Sequence, residues 1–118
     1  MDAARYTKRA RLLKAAEFDA AFKRGKRVNT GVFTAVIASN DLAFARLGFA
    51  LSKRHAPHAV QRNRVRRLLR EWFRLQQANL APVDLVLMLR SRLPTGAAAL
   101  KTEAETIWKQ VLARCKTP

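Results

Sequence analysis

The chain has 118 residues, with 24 Lys and Arg against 8 Asp and Glu and a formal net charge of +16. Its length corresponds to one domain, and a hydrophobic content of 49% excludes a disordered chain. Because self-repulsion at this net charge destabilises a compact fold, the charge predicts a polyanionic partner.

The composition also excludes some cross-links and metal sites, and it bears on where the protein is located. The lone cysteine, Cys115, excludes an intramolecular disulfide and a cysteine-based zinc cage. No apolar run reaches the roughly 20 residues of a membrane span, and the basic segment 1–14 lacks the apolar core of a secretory signal. We therefore expect one cytoplasmic domain over 1–118, with 1–10 as an N-terminal arm and 115–118 as a fraying tail.

The first predicted element is a short helix over residues 15–24. Phe18 and Phe22 lie four residues apart and share one face, and Gly25 is a favourable residue for ending a helix. Phenylalanines at this spacing are core residues in most proteins, but basic neighbours on both sides also allow a surface that stacks on nucleic-acid bases. The residues alone leave both alternatives open.

Strands are predicted next. Residues 28–39 are β-branched and apolar, with 28–30 as a short first strand, and the alternating segment 46–52 is predicted to form a hairpin with them across the turn at 39–41. One face of this hairpin is the predicted core, with Phe33, Ala35, Ile37, Leu47, Phe49 and Leu51. The other face is small and mildly apolar and leaves room for something to lie across it, with Thr34, Val36, Ala38, Gly48, Ala50 and Ser52.

The second half of the chain is predicted to form a long helix over 58–79, an interior strand over 83–90 and a final helix over 97–114. The order α-β-β-β-α-β-α indicates an α+β fold, a single-domain α-β sandwich. Segment 46–90 then forms a β-α-β crossover, for which the general rule predicts a right-handed connection.

Positive charge is concentrated in two stretches, with nine Lys and Arg in 5–27 and eight in 53–74. On the long helix, apolar residues share one face and arginines the other. Like-charge pairs at i,i+4 oppose helix formation, and here they join Arg62, Arg66, Arg70 and Arg74. A solvated face normally mixes charge signs, so nucleic acid is the better explanation of this face.

The residue types on this helix suit RNA. The guanidinium of arginine grips phosphate oxygens in pairs and stacks on bases, which lysine cannot do. Asn63 lies within the arginine face, and its amide can both donate to and accept from a ribose hydroxyl or a base edge.

The segment 59–71, AVQRNRVRRLLRE, resembles the signature of the bacterial ribonuclease P protein family, an Arg-Asn-Arg core on a long helix, preceded here by Ser-Lys-Arg at 52–54. The early helix with two phenylalanines, the strand RLGF at 46–49 and the late strand that ends at Arg90 match the family in the same order. The resemblance covers about residues 11–114, nearly the whole chain.

This resemblance implies an α-β sandwich with a left-handed β-α-β crossover in place of the right-handed default. It implies a subunit that binds the catalytic RNA of ribonuclease P, in a magnesium-dependent complex that removes the 5′ leader from precursor tRNA, with no obligatory protein partner. The implied RNA-binding residues are Lys53, Arg54, Arg62, Asn63, Arg64, Arg66, Arg67 and Arg70. The implied leader-binding cleft contains Phe18, Phe22, Thr34, Val36 and Arg90.

The chain departs from the family pattern in two places. The family often has a glycine between Ser-Lys-Lys and Ala-Val, whereas this chain has His-Ala-Pro-His at 55–58, one residue longer than the family pattern. This difference affects how the chain enters the long helix. Thr34 or Val36 stands where the family often has an aromatic residue, so leader stacking is expected to depend more on the two phenylalanines.

The sequence indicates neither an active site nor a metal site of its own. Its acidic residues are scattered, whereas two-metal hydrolysis needs clustered carboxylates, and His55 and His58 have no cysteine or carboxylate neighbours. We therefore expect no catalytic residue and no metal ligand in this chain. The alternatives are a ribosomal or architectural RNA-binding protein, a DNA-binding protein, which would lack the helix-turn-helix arrangement, and a free-standing ribonuclease.

Overall fold

The computed structural model describes Arg11 and residues 14–115. This part of the chain contains three helices, and a short 3₁₀ turn, Gln77–Asn79, extends the second of them. The order of elements confirms the predicted α-β-β-β-α-β-α arrangement, with α1 Ala15–Arg24, β1 Lys26–Asn29, β2 Phe33–Ser39, β3 Arg46–Ala50, α2 Ala59–Gln76, β4 Val83–Leu89 and α3 Ala97–Cys115.

The four strands form one sheet in the order β1-β2-β4-β3. β2 is antiparallel to both β1 and β4, and β3 is parallel to β4. The predicted hairpin between 28–39 and 46–52 is therefore wrong, because β4 lies between them. β4 is buried on both faces along almost its whole length, so a central place in the sheet removes more apolar surface from water than an edge would.

The segment between β2 and β3 crosses the end of β4. The Asn40 backbone N–H donates to the carbonyl of Pro82 at 3.2 Å, and its side-chain Nδ2 donates to Asp84 at 2.9 Å and to the Phe44 carbonyl at 3.2 Å. β3, α2 and β4 then form the predicted β-α-β crossover between parallel neighbours. Its left-handed sense, which the family resemblance implies, stays a prediction.

The main core lies between one face of the sheet and helices α2 and α3. Its fully buried side chains include Leu47 of β3, Leu69 and Phe73 of α2, and Trp108 of α3. The predicted core face of the strands is confirmed, with Phe33, Ala35 and Leu47 buried within this core and Ile37, Phe49 and Leu51 packed against it.

Helix α1 covers the opposite face of the sheet. Ala21 of α1 packs there with Val36, Ala38 and Val86 in a second, smaller core. Gly25 lets the helix end against the sheet, because a Cβ at this position would lie 2.4 Å from Val36 Cγ1 and 2.5 Å from the Ala21 carbonyl oxygen. The room predicted across this face is therefore partly filled by the chain's own first helix.

The C-terminal prediction is wrong at Cys115. This residue is 2% exposed in the last turn of α3, and its carbonyl accepts a 2.7 Å hydrogen bond from the Ala81 backbone N–H. The apolar stripe of α3 extends to this turn, so the helix end packs on the core instead of fraying. The rest of the predicted tail, 116–118, and the predicted arm, 1–10, lie outside the described residues.

Candidate nucleic-acid interface

Helix α1 crosses the sheet near one end and leaves the other end of that face uncovered. It starts beside the β3 edge, where Glu17 binds Arg46, and it ends where β1 begins at the opposite edge. The strand register places four side chains in one row across the uncovered end, Asn29, Thr34, Met88 and Ala50. This row is the floor of a cleft beside α1.

Phe18 and Phe22 form the α1 side of this cleft. Their ring centroids are 6.4 Å apart with a tilt of 43°. Both rings pack against the smaller core together with Ala50 and Met88, and both remain half-buried. Each ring thus has an inner side that packs on the sheet and an outer side that faces solvent along the cleft.

The two strand residues assigned to the cleft differ in their accessibility. Thr34 is 7% exposed, and its hydroxyl donates to Asn29 Oδ1 at 2.7 Å. Val36 is fully buried beneath α1, so it supports the helix and cannot itself contact RNA. The prediction that Val36 is a contact residue is therefore wrong. The strand pattern alone did not show which row of side chains α1 covers.

Met88 belongs to the cleft floor and was not singled out from the sequence, whereas its neighbour Ala50 lies on the small face that the sequence predicted. Met88 follows from the alternation along β4 once this strand is placed between β2 and β3. The wrong hairpin pairing concealed it, because it placed no residue of β4 beside Thr34.

An ion-pair network fixes the start of α1 on the sheet. Arg46 Nε and Nη2 donate to the two carboxylate oxygens of Asp84, each at 2.8 Å, and Nη1 donates to Glu17 Oε2 at 2.5 Å. The hydrogen bond to Asp84 is the main cause that raises the pKa of Arg46 above its ordinary value. Sequence reasoning missed this network, since its members are 29 and 38 residues apart.

Three cations border the open end of the cleft. Lys53 and Arg54 are exposed in the turn that follows β3, and Arg90 is exposed directly after β4. Because β3 and β4 are parallel neighbours, their carboxyl ends lie at the same end of the sheet. Arg90 is held in place by a 2.8 Å hydrogen bond from Nη1 to the Thr30 carbonyl.

Helix α2 buries Val65 and Leu69 and turns its arginines outward. Arg66 Nη1 donates to Asn63 Oδ1 at 3.2 Å, and Arg70 Nε donates to the Arg66 carbonyl at 3.3 Å. Within the described part of the chain, no carboxylate forms a salt bridge with the α2 arginines Arg62, Arg64, Arg66, Arg67 and Arg70.

Arg62 is half-buried, as are Arg66 and Arg70. It differs from them in binding a residue outside the helix, because its Nη1 donates to the carbonyl of Ala56 at 2.7 Å. Ala56 is fully buried in the loop that carries Lys53 and Arg54. Arg62 therefore holds this loop against the start of α2, where the Gln61 side chain also accepts from the His58 backbone N–H at 3.1 Å.

The arginine flank and the cleft lie along the same edge of the sheet. α3 packs on β1 and β2, whereas α2 packs on β3 at the opposite edge. Arg64 and Arg67 face α3 across a groove, so the helical spacing places Arg66 and Arg70 on the other flank, towards the β3 edge. A polyanion at this edge can contact α2 and enter the cleft.

No group of three or more His, Cys, Asp or Glu side chains that could hold a metal occurs among the residues with described positions. No helix in Arg11 and 14–115 is long and apolar enough to cross a membrane.

Comparison with known proteins identifies the family. A family model described as Ribonuclease P matches residues 6–112. The chain belongs to the ribonuclease P protein family. Curated relatives carry the name ribonuclease P protein component. The one from Thioalkalivibrio sulfidiphilus is 35% identical and covers 96% of this chain and 95% of its own. The one from Legionella pneumophila strain Corby is 39% identical, with coverage of 93% and 95%.

The fold agrees with the same family. The structure of the ribonuclease P protein of Staphylococcus aureus superimposes with a TM-score of 0.77 at 25% identity, over 92% of this chain and 98% of that chain. The resemblance seen in the Arg-Asn-Arg helix and the predicted α+β class are both confirmed. The family match favours a ribonuclease P protein over the ribosomal, DNA-binding and free-standing ribonuclease alternatives.

Proposed function

We propose that the chain binds the catalytic RNA of ribonuclease P through α2 and holds the 5′ leader of precursor tRNA in the cleft beside α1. One observation carries the proposal. The outward arginines of α2 lack carboxylate partners within the described chain, and they lie at the sheet edge where the cleft opens. Unpaired arginines repel each other along a helix, and RNA phosphates relieve that repulsion.

The contact with the catalytic RNA is assigned to Asn63, Arg66 and Arg70, with Lys53 and Arg54 at the start of the helix. Arg66 and Asn63 are hydrogen-bonded to each other, so the pair presents guanidinium and amide donors together to phosphate and ribose. Arg62 contributes by holding the loop of Lys53 and Arg54 in place, and Arg64 and Arg67 extend the cationic surface towards α3.

The leader is assigned to the cleft because its composition suits a single strand. The outer sides of Phe18 and Phe22 can stack on bases, and the cations at the open end can neutralise the phosphates between them. The Thr34 hydroxyl donates its proton to Asn29, so its oxygen lone pairs can accept from a base or ribose. Arg90, fixed by Thr30, lies at the end of the same floor.

Cleavage is assigned to the RNA. Glu17 of α1 and Asp84 of β4 are both occupied by Arg46, and Glu71 of α2 binds Arg74. No cluster of three or more His, Cys, Asp or Glu side chains occurs among the described residues, and we place the magnesium of the assembled complex on RNA and substrate phosphates. A cytoplasmic location and the absence of an obligatory protein partner stay predictions.

The test is reconstitution with a bacterial ribonuclease P RNA and a precursor tRNA at low magnesium. We expect faster removal of the leader than with the RNA alone, and no removal by the protein alone. An unchanged rate in the presence of saturating protein would contradict the proposed function. Cleavage by the protein alone that a point substitution abolishes would contradict the assignment of the chemistry to RNA.

A further inference from the structure

A groove separates α2 from the first turns of α3, on the side of α2 away from the cleft. It has a volume of about 520 Å³ and is lined mainly by apolar surface. Its floor is formed by Leu68 of α2 and by Ala97 and Leu100 of α3. The half-buried Leu68 and the exposed Ala97 leave this apolar floor accessible from outside.

The rim of the groove is cationic. Arg64 and Arg67 border it from α2, and Lys101 borders it from α3, all three exposed. None of them forms a salt bridge within the part of the chain that is described. Glu71 also lines the groove, but its carboxylate binds Arg74, which lowers the pKa of Glu71.

The apolar floor and the unpaired cationic rim together indicate which kind of molecule fits the groove. A second copy of this chain would bring a net charge of +16 against the rim, which disfavours self-association at the groove. An apolar peptide would bury the floor and leave the three cations without partners. A nucleotide meets both requirements, since its base is a flat apolar surface and its phosphates are anionic.

We propose that this groove binds an unstacked nucleobase of the catalytic RNA, with the adjoining phosphates on Arg64, Arg67 and Lys101. The proposal rests on the proposed function, because it takes the RNA subunit as the partner. It adds α3 to the RNA-binding surface and gives α2 a second contact, on the flank opposite Arg66 and Arg70. The protein thus holds the RNA from two sides of one helix.

Two substitutions test the floor and the rim separately. Ala97→Phe fills the groove from an exposed position, and Ala99→Phe is its control, because Ala99 is also exposed but lies on the opposite side of the same turn. Lys101→Glu reverses one rim charge, and Lys109→Glu makes the same change at an exposed position of α3 outside the groove. Circular dichroism verifies that each variant is folded.

The readout is the affinity of the full chain for a transcript of a bacterial ribonuclease P RNA. We expect Ala97→Phe and Lys101→Glu each to weaken binding about tenfold relative to its control, which corresponds to the loss of one stacked base or its phosphate contact. If Lys101→Glu alone weakens binding, the groove binds phosphate without a base and the inference is overturned.

The remaining outcomes distinguish this inference from the proposed function. If the wild-type chain binds the transcript tightly and both variants match their controls, the groove inference fails while the proposed function stands. If the wild-type chain binds the transcript no better than an unrelated RNA, the proposed function fails and the inference fails with it. A wild-type dimer in sedimentation that Ala97→Phe dissociates would assign the groove to a second copy instead.

Discussion

Arg46 on β3 binds Asp84 on the neighbouring strand β4 through two parallel hydrogen bonds of 2.8 Å. Asp84 is 3% exposed, and its buried carboxylate accepts hydrogen bonds from this partner and from the amide of Asn40. The third nitrogen of the same guanidinium binds Glu17 of α1. One arginine therefore joins the sheet edge to the helix that forms a wall of the cleft.

Replacing Asp84 leaves the half-buried Arg46 charge with a weaker set of partners. We expect Asp84→Ala to lower the free energy of unfolding by roughly 3 kcal/mol, the size typical of removing one partner of a buried ion pair. The measurement is urea denaturation. Asp41→Ala is the control at an exposed position, with an expected change within about 0.5 kcal/mol. Equal effects of the two substitutions would show that the ion pair of Arg46 and Asp84 contributes no more to the free energy of unfolding than an exposed carboxylate does.

Gly25 tests whether α1 packs on the sheet as closely as described. Gly25→Ala places a methyl group 2.4 Å from Val36 Cγ1, and we expect a loss of roughly 1–3 kcal/mol of stability from this overpacking. Gly96→Ala is the control, because a Cβ there meets nothing within 4 Å and no described glycine has a positive φ. A neutral Gly25→Ala would show that α1 lies further from the sheet.

Cys115 gives the fold a contribution to stability that depends on pH. Burial raises the pKa of its thiol from 9.0 to about 11, although Arg114 nearby opposes the shift. Because the folded state then holds the proton more tightly than the unfolded state, this contribution is complete below pH 9.0 and is lost as the pH rises towards about 11. We expect the stability difference between the wild type and Cys115→Ala to shrink over that range. A difference that stays constant with pH would indicate an exposed thiol.

Local patterns predicted the helices well, because their signals lie within a few residues of each other. The spacing of Phe18 and Phe22, together with Gly25, predicted α1 with the bounds that the structure shows. The pairing of the strands depended on contacts between distant segments, and it failed where two strands adjacent in sequence were taken as adjacent in space. β4 is buried on both faces, and this burial favours a central place for β4 between β2 and β3 over a direct pairing of β2 with β3.

The same distinction explains the site residues. The arginine face of α2 could be predicted because it follows from helical spacing alone. Val36 could not be assigned correctly, since the cover of α1 over it is a tertiary contact. The bond from Arg62 to Ala56 could not be predicted for the same reason, and the role of Arg62 in binding RNA stays a prediction. The Arg46 network and the floor residue Met88 likewise depend on which strands are neighbours.

The cleft predicts a selective effect of its two aromatic rings. We expect Phe18→Ala combined with Phe22→Ala to weaken binding of precursor tRNA by the reconstituted complex about tenfold, from the loss of base stacking. Affinity for mature tRNA, which has no leader, is the internal control and should not change. Circular dichroism verifies the fold, because both rings also pack on the sheet. An unchanged preference for the precursor would show that both rings serve only to pack on the sheet and do not bind the leader.

The central claim is that the outward arginines of α2 bind RNA phosphates, and the salt dependence of binding tests it most directly. The measurement is the affinity for a bacterial ribonuclease P RNA over a range of salt concentrations, for the wild type and for Arg66→Ala combined with Arg70→Ala. Lys109→Ala combined with Arg114→Ala removes the same charge from α3 and is the control. We expect the α2 variant alone to bind more weakly, with a salt slope reduced by about 1.4–1.8, which corresponds to two lost phosphate contacts. An affinity and slope equal to those of the control would remove α2 from the RNA interface.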